Sequence, residues 1–213
     1  MKIKKKYMER LLKDWGISER LVEIPFVFNC LSDEPKTILD VGCIDSHLLE
    51  VFNEVGHNAW GVDIRPAPGR KNFTEADGRD LPFTDNKFDI ATCISTLEHI
   101  GLVKTPYETD EVEDADGDIK TMREMERVVK KDGLLIITIP YGLCDTNLTD
   151  WIRFYNLSRL KELIGDLDVL KMDFYVRIND KWRLATELEA SKKVSDTQVV
   201  SVCLMCLKKV KEV

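Results

Sequence analysis

Gly42 and Asp63 each stand at the end of a short apolar run, and their types suit a nucleoside ligand. The run TILDV at 37–41 enters Gly42, where the lack of a side chain lets a ligand approach the backbone. Amides opening a helix near Ser46 and His47 can receive an anionic group, although Ser46 also reads as a plain N-cap. Asp63 closes the next run about 20 residues on, from where a carboxylate accepts hydrogen bonds from ribose hydroxyls. His99 follows a fourth run and is a candidate substrate-facing base, or a histidine making only local hydrogen bonds. Tyr141 follows a fifth run and belongs to the same edge. In WIRFYN, Trp151, Arg153 and Tyr155 form either a contact for a polar or anionic substrate or a packed approach to a helix.

These residues need a scaffold that brings strand ends together. β-branched runs alternate with helical patterns, which is the signature of βαβ units and a mainly parallel sheet. Strands are predicted at 37–41, 59–63, 72–75, 88–94 and 134–140. Leu48, Phe52 and Val55 give the first crossover helix a stripe that ends at Gly56. Ile119, Met122, Met125 and Val129 give another, opened by Asp118 as N-cap and closed by the residues 130–133. A capped helix over 156–164 precedes two long strands, 167–178 and 197–208, read as a hairpin at the sheet edge. The acidic run 108–118, with seven carboxylates, reads as a solvated loop rather than a metal site.

Net charge −7 disfavours a general grip on nucleic acid, whose phosphates would be repelled. The basic start interleaves Lys and Arg with Tyr7, Met8, Leu11, Leu12 and Trp15, which describes an amphipathic helix docking on the domain. That start is not followed by the apolar run of a secretory leader, and LLIITI and VVSVCLMCL fall well short of the ~20 residues of a spanning helix. A cytoplasmic protein without a membrane span is expected. The six cysteines sit mostly in apolar runs, as reduced core thiols do, and Cys203 and Cys206 lack the partners of a zinc site. No metal is expected.

ILDVGC at 38–43, VDI at 62–64, ADGRDLPF at 76–83, DNKFDIA at 85–91, LEHIG at 97–101 and ERVVKKDG at 126–133 follow one another in a telling order. Over roughly residues 36–142 the chain resembles the class I S-adenosylmethionine-dependent methyltransferases, in particular the small-molecule branch of ubiquinone and menaquinone biosynthesis. The resemblance implies an α/β, Rossmann-like sheet of seven strands, mostly parallel with an antiparallel last strand and helices on both faces. It implies one domain: an N-terminal helical cap over 1–34, a cofactor-binding core over 36–142, and a substrate-side and edge-strand region over 143–213. By the same resemblance Asp40, Gly42 and Cys43 line the methionine end of S-adenosyl-L-methionine. Asp63 holds the ribose with Ile64 against the adenine, Asp77 and Gly78 face the adenine edge, and Ser95 completes the cofactor set. The implied reaction is in-line methyl transfer to a small-molecule acceptor, with His99 and Tyr141 as catalytic candidates and Arg153 and Tyr155 toward the substrate.

The chain departs from that pattern at Ile44 and Ser46, where the family keeps glycines. A β-branched Ile44 cannot take positive φ without strain, so the loop must follow another path. Asp45 adds a negative charge there, near the cofactor's carboxylate or paired with its amino group or sulfonium. Two other readings stay open: a catalytically silent interaction module on the same fold, and a nicotinamide-dependent oxidoreductase or epimerase. Against the second, the chain lacks G-x-G-x-x-G and has no Tyr followed four residues later by Lys.

Overall fold

The computed structural model describes residues 3–13, 16–102, 113–144 and 150–211. Two helices, α1 (Lys5–Leu12) and α2 (Arg20–Cys30), precede a βαβ unit made of β1 (Thr37–Val41), α3 (Leu48–Glu54) and β2 (Asn58–Asp63). β3 (Phe73–Glu75) and β4 (Phe88–Ile94) follow, and a 3-10 turn at Leu97–His99 leaves the end of β4. After α4 (Gly117–Val128) come β5 (Val129–Pro140), the short β6 (Leu143–Cys144) and α5 (Leu157–Ile164). The chain then runs through β7 (Asp168–Ile178), β8 (Lys181–Ala185), α6 (Glu187–Ala190), β9 (Val194–Ser195) and β10 (Ser201–Lys208).

Eight strands form the main sheet in the order β3-β2-β1-β4-β5-β10-β7-β8, and β6 pairs with β9 apart from it. β3 through β5 are parallel, while β10 runs antiparallel to both β5 and β7. Strand order reverses between β1 and β4, the switch point where open α/β sheets bind ligands at their carboxyl ends. Period-two alternation sends Ile38 and Ile90 to one face and Leu39 and Ala91 to the other. α1, α2 and α3 cover the first face with Leu11, Val27, Phe28 and Phe52; α4 and α5 cover the second with Met122, Met125, Leu160 and Leu163. Burial on both sides explains why these strands are almost continuously apolar.

Several expectations need correction. The sheet has an eighth strand, because Asn179 and Asp180 take φ of 48° and 57° and turn β7 into β8, as a two-residue hairpin with both central residues left-handed requires. The edge hairpin is therefore β7–β8, and β10 lies inside the sheet, where its unbroken run of buried side chains is covered on both faces. β5 begins at Val129 directly after α4, so Lys130 to Gly133 belong to the strand rather than closing the helix. Asp118 is not the N-cap: Asp116 holds that position, and Asp118 is buried in an ion pair with Arg159. Nor is the described end of the acidic run merely solvated, since Asp114 pairs with Lys120 and Arg79, and Asp116 with Arg159. Trp15 and residues 108–112 lie outside the described residues.

Candidate functional site

A cavity of about 740 Å³ opens at the carboxyl ends of β1, β2 and β4, between the start of α2 and the 3-10 turn. Asp40, Gly42, Asp63, Ile64, Asp77, Gly78, Ser95 and His99 all line it, so residues separated by as many as 59 positions in sequence meet at one site. Cys43, Tyr141, Arg153 and Tyr155 do not line it.

Gly42 ends β1 with φ 76°, and a Cβ there would lie 2.2 Å from the Thr96 side chain. Glycine is therefore required both by conformation and by the close approach of the turn after β4. Among the described residues the loop has no second position of positive φ before Gly56, so Ile44 is unstrained and its N–H donates to Asp63 Oδ2 at 3.1 Å. Two arginines do the work of the missing glycines. Arg70 donates to the Cys43 and Ser46 carbonyls at 2.9 and 3.1 Å while paired with Glu50, which fixes the loop from outside. Arg65 reaches Asp45 at 2.9 Å. Asp45 is thus neutralised by a neighbour in the protein.

Asp63 is more heavily engaged than a waiting ribose ligand. Its Oδ1 accepts from the Arg65 N–H and Nε, each at 3.1 Å, and its Oδ2 accepts from Ile44 and from Arg65 Nη2 at 3.2 Å. Four donors match the roughly four lone-pair directions of a carboxylate. Asp77 is held in the same way by the N–H and guanidinium of Arg79, whose bonds outweigh burial and keep its carboxyl below the usual range.

Asp40 contrasts with both. It is buried at the end of β1, Thr92 Oγ1 donates to its Oδ1 at 2.7 Å, and among the described residues its Oδ2 has no hydrogen-bond partner. Burial, opposed by the Thr92 bond, pushes it up to about 7.

His99 stacks on Trp151, with ring centroids 5.6 Å apart and planes 5° from parallel. Its Nδ1 lies 2.7 Å from the Trp151 carbonyl oxygen, which can only accept, so Nδ1 carries the proton and Nε2 the lone pair. Burial, against that hydrogen bond, pushes His99 down to about 4, so the ring is neutral at physiological pH.

The remaining candidates are directed elsewhere. Cys43 is buried with Sγ packed toward Gly61 and Arg70. Tyr141 packs on Phe174 and donates its hydroxyl to Glu187 at 2.6 Å. Arg153 donates to the Leu97 and Ile100 carbonyls, at 3.3 and 3.1 Å, and Tyr155 is fully buried. Sequence reasoning missed the start of α2. Glu19 and Arg20 line the cavity there, and Arg20 binds Glu23 at 2.9 Å and the Ile94 carbonyl at 3.2 Å. Glu23 in turn accepts from Ser95 Oγ at 2.7 Å. Glu98, beside His99 in the LEHIG stretch, also lines the cavity. Buried charges on an otherwise apolar helix were the available signal.

A family profile described as "Methyltransferase domain" matches residues 7–168. An uncharacterized methyltransferase, YcgJ of Bacillus subtilis (strain 168), is 26% identical over 138 residues, covering 59% of this chain and 48% of that protein. The ubiquinone biosynthesis O-methyltransferase of Hydrogenovibrio crunogenus is 30% identical over 92 residues, covering 37% of this chain and 38% of that protein. The matches thus span about half or less of the length of these curated relatives. Among solved structures, the N-methyltransferase NodS from Bradyrhizobium japonicum WM9, in complex with S-adenosyl-l-homocysteine, superposes with TM-score 0.64 at 14% identity, covering 97% of this chain and 98% of that one. The Burkholderia thailandensis 1,6-didemethyltoxoflavin-N1-methyltransferase does so with TM-score 0.62 at 15% identity, covering 97% and 84%. At those identities the likeness is one of fold.

Proposed function

We propose, from the premise that the chain belongs to the methyltransferase domain family, that it transfers a methyl group from S-adenosyl-L-methionine to a small-molecule acceptor. The observation that carries this reading is Asp40: a buried carboxylate with one oxygen unpartnered among the described residues, lining the cavity beside a glycine turn at the sheet's switch point. An ammonium donor is what such an oxygen lacks. The residues present fit the cofactor, with Asp40 for its ammonium, the Gly42 backbone alongside, and Ile64 and Asp77 flanking the adenine. Asp63 would take the ribose hydroxyls once Arg65 yields part of its hold.

The bound cofactor supplies a methyl group already activated by a sulfonium, so no covalent intermediate on the protein is required. The chain's task is to orient the acceptor and exclude water. His99, a neutral imidazole, stands on the cavity wall with its Nδ1–H held by the Trp151 carbonyl. A concave site of about 740 Å³ is of the size that takes a small molecule. We read residues 1–213 as one domain whose first 34 residues form a cap. Among the described residues no helix is long and apolar enough to cross a membrane, and we place the protein in the cytoplasm.

A second reading, a silent interaction module, draws on Arg65 and the Ile44 N–H together filling the acceptor directions of Asp63. Calorimetry with S-adenosylhomocysteine separates the two. Methyl transfer expects saturable binding that Asp63→Ala abolishes, and absence of both heat and thermal shift at millimolar ligand leaves only the module.

A further inference from the structure

Glu19, Arg20, Glu98, His99 and Trp151 all line the cavity. Three carboxylates gather there around Arg20: Glu19, Glu23 and Glu98 all act on its guanidinium. Glu23 is fully satisfied, by Arg20 on one oxygen and Ser95 on the other. The nearby Arg177 donates to Gln198 and to the Ile17 carbonyl. Glu98 is different: it lines the cavity, is 3% exposed, and among the described residues its Oε2 has no hydrogen-bond partner. Burial, with Glu23 nearby, pushes its carboxyl well above the usual range. Burial and Glu23 likewise raise Glu19.

Resting on the methyl-transfer reading, we propose that the acceptor is a protonatable amine and that Glu98 is the residue that binds it. A carboxylate or phosphate acceptor would face three carboxylates with one guanidinium among them, and Arg20 is already engaged by Glu23. An ammonium meets the reverse situation, since its N–H satisfies Glu98 and its charge offsets the surplus. The indole of Trp151, in the same cavity lining, adds an aromatic ring of the kind that attracts cations.

The same group disposes of the proton that must leave. An ammonium nitrogen has no lone pair, so it first passes one proton to the Glu98 carboxylate, which becomes the neutral acid. The freed nitrogen pair then forms the N–C bond as the methyl carbon's bond to sulfur breaks. The sulfur keeps that electron pair and turns from sulfonium to neutral thioether, and the positive charge passes to the methylated nitrogen. Glu98 later loses its proton to solvent.

Titration of S-adenosylhomocysteine-saturated protein with phenethylamine, 2-phenylethanol and 3-phenylpropionate at about pH 7.5, repeated about one unit higher to favour the ionised Glu98, tests this. Phenethylamine is expected to bind at least tenfold tighter than the alcohol, with the carboxylate weakest. Glu98→Gln should bring the amine down to the alcohol's affinity while leaving S-adenosylhomocysteine affinity within twofold. Equal or absent binding of the amine, a preference for alcohol or carboxylate, or an amine preference that survives Glu98→Gln overturns the assignment. Failure of S-adenosylhomocysteine itself to bind overturns methyl transfer and this inference with it.

Discussion

Two carboxylates at the ends of neighbouring strands, Asp63 on β2 and Asp40 on β1, have opposite circumstances. Asp63 is surrounded by four donors, three of them from Arg65, whereas among the described residues Asp40 has Thr92 on one oxygen and nothing on the other. A satisfied carboxylate stabilises the loop around it and must be released before it can hold a ligand. An unsatisfied one costs the empty protein stability and gains when a donor arrives. One site therefore combines a wall that is ready with a wall that must be opened.

The comparison breaks most severely at the turn that separates the two. Gly42→Ala forces a Cβ into Thr96 at φ 76°, and the backbone strain alone is expected to cost about 1–3 kcal/mol in urea unfolding. Adding Thr96→Ser should recover the part due to its methyl, with the φ strain remaining. Next in size, Asp40→Asn should weaken S-adenosylhomocysteine binding about tenfold or more while raising the unfolding midpoint, since a buried ionisable group with an empty side is removed.

The pH dependence sharpens the point. Asp40 is raised to about 7 when folded, so its contribution to stability is full below the ordinary aspartate range and is lost as pH rises toward and through 7. Ligand affinity through its ionised form should move the other way, tightening between about pH 6 and 8. In Asp40→Asn both slopes should flatten. Thermal scans and calorimetry over that range check the two signs.

On the other wall, Arg65→Ala removes the two guanidinium bonds to Asp63, keeps the backbone N–H bond, and leaves Asp45 uncompensated. S-adenosylhomocysteine affinity is expected to rise about threefold, and stability to fall by about 0.5–1 kcal/mol because the arginine is partly exposed. Weaker binding would mean that Arg65 positions Asp63 rather than competing for it. The smallest effect belongs to Tyr141→Phe. Its hydroxyl serves Glu187 outside the cavity, so turnover should stay within twofold and stability should drop by about 1 kcal/mol.

The sequence discloses those parts of this fold that depend on local pattern. The strands β1 and β4, the Gly56 and Gly165 stops, and the Asn156 cap on α5 all follow from residue type and period. The meeting of strand-end residues was legible as well, because topology alone brings Asp40, Asp63, Asp77 and His99 to one cavity. The turn at Asn179-Asp180 was readable too, as a two-residue hairpin signal between alternating runs, but the polar segment around it masked the strand. What no local pattern could disclose is partner choice. That Arg65 holds Asp63, that Tyr141 turns to Glu187, and that Glu23 spans 72 residues to Ser95 depend on tertiary approach. The same ignorance of neighbours put Asp118 at a helix cap instead of in a buried pair.

The reach from α2 to the end of β4 also sets an order of assembly. α2 lies near the start of these 213 residues, yet its apolar face packs with Val202, Leu204 and Cys206 of β10, and Arg20 and Glu23 grip Ile94 and Ser95. α2 and β10 meet only across most of this stretch of chain, and contacts so distant in sequence are slow to form. The ends of β1, β2 and β4 can be in place while the wall built by α2 is still missing. Until α2 docks, the cavity lacks the side that Glu19 and Arg20 supply.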